Sequence, residues 1–320
     1  MDPARRIVSE LRRHPFLQEW VITATHRQER TFLPSEQQCP FCPRPDDPNA
    51  EVPVADYEVA VIENRFPSLC TPPPLPTVES NAISQVRPSA GRCEVVLYTP
   101  QHDATLSDLS VRHLRKLVRV WADRYAQLSA LPEVEYVYIF ENKGKEVGVT
   151  LTHPHGQIYA YPFVPELIQR RLEAMRDNQE VVREWLRFEV EEGKRVVWRN
   201  GEWVLVVPFF ARYPYEVHLA PLRPVPNVAD ADERQLDGLA EALRVASRKL
   251  DALFGFSMPY IMSLYQHNAP WSTLTVEITP PYRTATKLKY LAGSEAGCSV
   301  FINDTLPEET AAELRAARHE

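Results

Sequence analysis

Two stretches of this 320-residue chain run through the same order of apolar patterns, and a chain that repeats itself builds its core from two similar units. Residues 94–131 open on an apolar strand, Glu94-Val95-Val96-Leu97-Tyr98, and cross a loop with proline, histidine and aspartate. They continue through Leu109, Leu114, Leu117, Val118, Trp121, Tyr125 and Leu128, a spacing that puts one apolar stripe on a helix. Residues 216–254 repeat this: Glu216-Val217-His218-Leu219, a proline-rich loop, then Leu236, Leu239, Leu243, Ala246, Leu250 and Leu253. A strand follows each helix (Val134–Phe140; Tyr260–Tyr265), then a loop, then a strand ending in proline (Gln157–Pro162; Leu274–Pro280). Residues 166–190 read as one connecting helix. Arg195–Trp198 and Trp203–Val207 read as a hairpin around Asn200-Gly201, a pair suited to a tight turn with positive φ. The expected fold is α+β, two related units on mostly antiparallel sheets, divided as residues 1–190 and 191–320.

The net charge of −7 and the lack of any Lys/Arg strip argue against duplex nucleic acid as a partner. No apolar run reaches the roughly 18–20 residues that cross a membrane, and the start of the chain has two arginines with no apolar stretch behind them. A cytoplasmic location is the expectation. Five cysteines are an odd set for a disulfide framework.

The chemistry concentrates in Thr152-His153-Pro154-His155-Gly156-Gln157. Pro154 biases His153 away from helix, and Gly156 is expected to let the backbone approach a ligand closely. On an extended strand His153, His155 and Gln157 share one side. Neutral imidazole is a nucleophile at pH 7. Its attack on an α-phosphate gives a phosphoramidate that can pass the group on, splitting one transfer into two displacements. The amide of Gln157 is placed to donate to a phosphoryl oxygen in the transition state. The competing reading makes both histidines hydrogen-bonded loop residues.

With that run, Phe140-Glu141-Asn142-Lys143-Gly144 and Gly148 resemble the galactose-1-phosphate uridylyltransferases of the histidine-triad superfamily. Further matches are Trp20-Val21 to His26-Arg27, Asn64-Arg65-Phe66-Pro67, and Lys287-Leu288-Lys289-Tyr290-Leu291-Ala292-Gly293-Ser294-Glu295. The resemblance spans nearly the whole chain. It implies two half-barrel units, a homodimer, and a ping-pong exchange of uridylyl between UDP-glucose and galactose 1-phosphate. His155 then carries the uridylyl group and Gln157 supports it. Asn142 and Thr150 fall at phosphate-contacting positions, Arg27, Arg30 and Asn64 at nucleotide-binding positions, and Lys289 and Glu295 near the hexose.

Cys39-x-x-Cys42 suits two tetrahedral Zn–S bonds. His153, and His102 in the loop after the first-copy strand, would complete a structural Zn²⁺ site, and the resemblance gives the same four positions. Free thiols and a loop or capping role for His102 are the alternatives. Many relatives carry a second metal. At the matching positions this chain has Arg171, His267, Thr275 and Glu277, of which only His267 is of the expected type, so no second metal is expected. That departure, with Trp271-Ser272-Thr273-Leu274-Thr275, keeps open a related nucleotidyltransferase or nucleotide-sugar phosphorylase (ADP-sugar phosphorylase-like, with another base, sugar or phosphate acceptor). A non-catalytic, zinc-stapled nucleotide-binding protein is a third reading.

Overall fold

The structure is a computed structural model that describes residues 8–29, 38–48 and 50–318. In chain order come β1 (Ser9–Arg13), β2 (Trp20–Ala24), β3 (Ala60–Glu63), β4 (Val86–Pro88), β5 (Arg92–Leu97), α1 (Val111–Ser129), β6 (Tyr136–Lys143) and β7 (His155–Tyr161). Then follow α2 (Glu166–Asp177), α3 (Val181–Glu192), β8 (Val196–Arg199), β9 (Trp203–Val206), β10 (Val217–Pro221) and α4 (Glu233–Phe254). The chain closes with β11 (Tyr260–Tyr265), β12 (Thr275–Thr279), β13 (Tyr282–Thr284), β14 (Lys287–Leu288), α5 (Gly293–Cys298) and α6 (Pro307–Ala316).

The expected α+β fold with duplicated units is present. Among the described residues the main sheet has nine strands in the order β3-β5-β7-β6-β11-β12-β10-β9-β8, every neighbouring pair antiparallel. The order is nearly palindromic about β6 and β11, so β5, β7, β6 and α1 correspond to β10, β12, β11 and α4. Both helices lie on one face of the sheet, where Leu114, Leu117, Val118 and Trp121 meet Leu239, Leu243 and Ala246 in a common core. Each such leucine stabilises the fold by roughly 1.5–3 kcal/mol on burial. The helix starts are legible in sequence: the Ser110 side chain accepts from His113 N at 3.2 Å, and Asp232 with Gln235 forms a capping box.

Two local expectations differ. Residues 166–190 are two helices, broken at 178–180, where Asn178 Oδ1 accepts the Glu180 N–H at 3.1 Å and competes with helical bonding. The hairpin forms, but Gly201 is not among the positive-φ glycines. Asn200 Oδ1 instead accepts the N–H groups of Glu202 (2.9 Å) and Trp203 (2.7 Å), so a side chain closes the turn.

The sheet face opposite the two long helices is covered differently over each unit. A small sheet, β2-β1-β4, packs Leu11 against Leu69, Cys93 and Tyr159 of the first unit. Over the second unit, Leu186 of α3 packs on Val204, Val206 and Ala220.

Candidate active site and metal centre

His155 is the first residue of β7 and faces Leu97 of β5 across the ladder. Alternation along β7 sends His155 and Gln157 to the side away from α1 and α4, with Gly156 and Ile158 towards them. His155 is half-buried, and its Nδ1 bonds the His153 carbonyl at 2.7 Å. A carbonyl only accepts, so Nδ1 carries the proton and Nε2 carries the lone pair. Burial pushes the imidazole below its usual range, outweighing the opposite pull of that bond, and keeps it neutral and nucleophilic. The Phe41 ring lies edge-on, 5.1 Å away between centroids.

His155 and Gln157 line one cleft together with Arg27, Asn64, Asn142 and Thr150. Six of the nine residues expected at the catalytic and substrate positions therefore meet in one place. Tyr159 Oη donates to Gln157 Oε1 at 3.3 Å, a bond that uses the carbonyl oxygen of Gln157 and not its amide N–H groups. Arg27, on a 3-10 turn (Thr25–Glu29), donates to the Phe66 carbonyl at 2.8 Å. Asn64 Oδ1 accepts the Phe66 N–H at 2.9 Å, fixing the Asn-Arg-Phe turn. Gly144 (φ 95°) and Gly148 (φ 83°) bring the loop after β6 back beside the strand. At Gly144 a β-carbon would sit 2.6 Å from Pro259.

The remaining three are placed otherwise. Arg30 lies outside the described residues. Lys289 and Glu295, both buried, pair with each other at 3.1 Å. Lys289 also holds the Ile302 carbonyl, and Glu295 accepts the Ala292 N–H. Within one chain this pair fastens the segment around α5 and does not line the His155 cleft. Gly156 meets protein rather than ligand: a β-carbon there would lie 2.3 Å from the Tyr98 hydroxyl. Arg65 and Phe66, within the Asn64-Arg65-Phe66-Pro67 match, also line the cleft, as do Phe41 and Glu51, which the sequence did not single out. Phe41 carried a signal, inside the Cys-x-x-Cys knuckle. A larger cleft, about 800 Å³, lies near Trp20, Phe163 and Trp271 and holds neither His155 nor Gln157.

Cys39, Cys42, His102 and His153 converge, each offering a ligand atom within 4.8 Å of the others. Cys42 Sγ is 3.4 Å from His102 Nδ1 and 3.5 Å from His153 Nδ1. Tetrahedral Zn–S and Zn–N bonds of about 2.3 and 2.0–2.1 Å require an S···N edge of roughly 3.5 Å. The donor set therefore fits a closed four-ligand metal site. His153 Nε2 bonds the Thr99 carbonyl at 2.8 Å, which fixes the tautomer that presents Nδ1 to a metal. Burial lowers the His153 pKa to about 4, so the ring is neutral and ready to ligate.

In the second unit, Arg171 reaches from α2 to Glu277 Oε1 (2.7 Å) and Thr275 Oγ1 (3.0 Å), and its guanidinium lies 4.1 Å over the Tyr265 ring. His267 is turned to its own loop, accepting from Ala269 N at 3.0 Å. Glu216, His218 and Glu277 also cluster within 4.8 Å, a group the sequence showed only as a Glu-x-His alternation on one strand face. Arg212 Nη2 is 3.1 Å from Glu277 and 3.5 Å from Glu216. Two guanidiniums thus already balance the two carboxylates. Burial pushes both acids up, but the His218 and arginine neighbours outweigh it and hold them below the ordinary carboxylate value.

The comparisons with known proteins agree along the whole chain. Residues 1–165 match the family described as galactose-1-phosphate uridyl transferase, N-terminal domain, and residues 167–316 match its C-terminal domain. The galactose-1-phosphate uridylyltransferase of Thermotoga maritima is 39% identical over 96% of this chain and 98% of its own. The enzyme of that name from Streptomyces lividans is 38% identical over 86% of this chain and 75% of its own. A solved uridylyltransferase structure superposes with a TM-score of 0.83 at 35% identity, covering 96% of this chain and 98% of that one. The chain is a nucleotidyltransferase and belongs to the galactose-1-phosphate uridylyltransferase family.

Proposed function

We propose that the chain is a hexose-1-phosphate uridylyltransferase that exchanges uridylyl between UDP-glucose and galactose 1-phosphate through a covalent uridylyl-His155. One observation carries the reading: the Nδ1–H of His155 is committed to the His153 carbonyl, so the lone pair sits on Nε2 of a ring lining the same cleft as Gln157, Asn142 and Thr150. In the first half-reaction the Nε2 pair attacks the α-phosphorus and a P–N bond forms. The bond from that phosphorus to the bridging oxygen breaks, and its electron pair leaves with glucose 1-phosphate. In the second, a phosphate oxygen of galactose 1-phosphate attacks, the P–N bond breaks, and its pair returns to Nε2. The Gln157 amide donates to the equatorial oxygens as charge moves onto them. Arg27 and Asn64 shape the nucleotide end, and Asn142 and Thr150 contact the phosphates.

Zn²⁺ on Cys39, Cys42, His102 and His153 is the metal whose chemistry suits these donors, and its role is structural. It ties the loop at 39–42 to the strand entry one residue before Pro154. No helix of the described residues is long and apolar enough to cross a membrane, in line with a cytoplasmic enzyme. A homodimer is the assembly the resemblance implies, and the exposed Tyr290, Leu291 and Ile302 offer apolar surface for it.

The test mixes the protein with UDP-glucose, labelled in the β-phosphate, and no acceptor. Release of one glucose 1-phosphate per chain without turnover supports the reading. Release from ADP-glucose but not UDP-glucose would move the assignment to the ADP-sugar relatives. Release by His155→Ala would remove the nucleophile from the account.

A further inference from the structure

Behind the nucleophile, on the helix-facing side of the sheet, lies a buried polar group that the proposed reaction does not use. Tyr98 follows directly on β5 and is fully buried. Its backbone N–H donates to the Pro154 carbonyl at 3.1 Å. Its own carbonyl bonds His113 Nε2 of α1 at 2.6 Å, so its main chain is anchored to the core. Its ring passes under β7, where the missing side chain of Gly156 makes room: a β-carbon there would lie 2.3 Å from the Tyr98 oxygen and 3.0 Å from Cζ. Tyr98 therefore meets the residue before His155 and the residue after it.

Glu141 of β6 is the neighbour of that hydroxyl. It is 4% exposed, and its Oε1 accepts from Tyr260 Oη at 3.2 Å. Its Oε2 and the Tyr98 oxygen are both buried with no other hydrogen-bond partner among the described residues, and the two side chains interact directly. Burying oxygens so sparsely partnered is costly, and a native fold keeps such a cost where a position must be held. Burial lifts the Glu141 pKa to about 7, against the pull of Lys143, which is itself paired with Asp251 at 3.1 Å. Burial and the Glu141 charge push the Tyr98 phenol well above its usual range, so it stays a donor.

We propose that Tyr98 and Glu141 are positioning residues: Tyr98 clamps the backbone on both sides of His155, and Glu141 holds the Tyr98 hydroxyl against Gly156. Neither lines the cleft that His155 shares with Gln157, Arg27 and Asn64. Together they fix the angle at which the imidazole leaves the strand, and a small misplacement at a reacting atom is amplified in rate. The inference rests on His155 being the nucleophile.

Rapid-quench measurement of glucose 1-phosphate release from UDP-glucose, without acceptor, separates the two claims. Its amplitude counts competent sites and its rate reports the chemical step, while calorimetric binding of UDP reports the cleft. Tyr98→Phe and Glu141→Ala are expected to keep the amplitude near one per chain and the UDP affinity within about twofold, and to slow release about tenfold. Glu141→Gln, which keeps the shape and an acceptor oxygen, should return the rate to within about threefold of wild type. Gly156→Ala should slow release, and adding Tyr98→Phe should recover part of the loss, because the added methyl and the phenol oxygen compete for one place. Wild-type rates in both Tyr98→Phe and Glu141→Ala would overturn the proposal and leave the nucleophile standing. So would losses that appear only in amplitude or in UDP affinity. Release by His155→Ala would instead overturn the reading on which the proposal rests.

Discussion

The two units share one strand-and-helix plan, yet among the described residues their matching strand faces differ: the first borders an open cleft and the second is closed by ion pairs. On β7 the residues away from the long helices are His155 and Gln157, bordering a cleft. On β12, its counterpart, the face holds Thr275 and Glu277, and both are bound by Arg171 from α2. In the account proposed here, the first unit fastens its covering loop through a metal on two cysteines and two histidines. The second ties α2 and the segment around Arg212 to β12 with guanidinium–carboxylate pairs. The difference teaches that the duplicated fold supplies a strand edge and a covered face twice, and side chains decide which copy becomes a site.

The sharpest way to break this contrast is to remove matching side chains. Gln157→Ala should lower kcat about 10²–10³-fold, as loss of one donor to a transition-state oxygen does. Thr275→Ala, at the corresponding place, should leave kcat within about twofold. Comparable losses in steady-state assays would mean that both faces take part in the chemistry.

The two fastenings come next. Cys39→Ser, or prolonged chelation, should lower the unfolding temperature by several degrees with release of about one metal per chain. Metal analysis that finds no ion in chelator-free protein would end the four-ligand proposal. Arg171→Met should cost about 1–3 kcal/mol in denaturant unfolding, because a buried carboxylate loses a partner, though Arg212 keeps part of the balance. Its metal content should not change. An equal loss of metal from Arg171→Met would show that the two fastenings are one coupled system.

Smaller effects follow from pH. Glu216 and Glu277 have folded pKa values below their ordinary 4.5. Their stabilisation is present above that value and is lost as pH falls through the lower folded values, so Glu277→Gln should flatten the acid limb of a stability–pH curve. Glu141 has the opposite sign. Its folded pKa, about 7, is raised, so its contribution is full below about 4.5 and is lost as pH rises towards 7. Glu141→Gln should therefore gain on wild type in unfolding temperature between about pH 5 and 8. A difference that does not vary with pH would show that Glu141 does not titrate in this range.

Much of this contrast is legible in the sequence. The stripes of α1 and α4 are wide enough to read, and the Cys-x-x-Cys spacing with two histidines identified four residues that converge in space. His155 and Gln157 were legible because strand alternation puts them on one side. What stayed hidden depends on packing between distant segments. The break at 178–180 comes from one Asn side chain competing with helix bonds. Asn200 closes its hairpin by accepting two N–H groups, which the Asn-Gly pair alone does not reveal. Gly156 read as room for a ligand and is room for Tyr98. Tyr98 and Glu141 stand in runs the sequence singled out, but their place was hidden because both lie on the other face of the sheet from His155, and strand patterns do not show which distant side chains meet there.

The most direct test of the account is mass spectrometry of the protein quenched shortly after mixing with UDP-glucose. The account predicts one uridylyl group per chain on the peptide containing His155, absent from His155→Ala and discharged by galactose 1-phosphate with formation of UDP-galactose. A stable, unmodified His155 in protein that still turns over both sugars would contradict it.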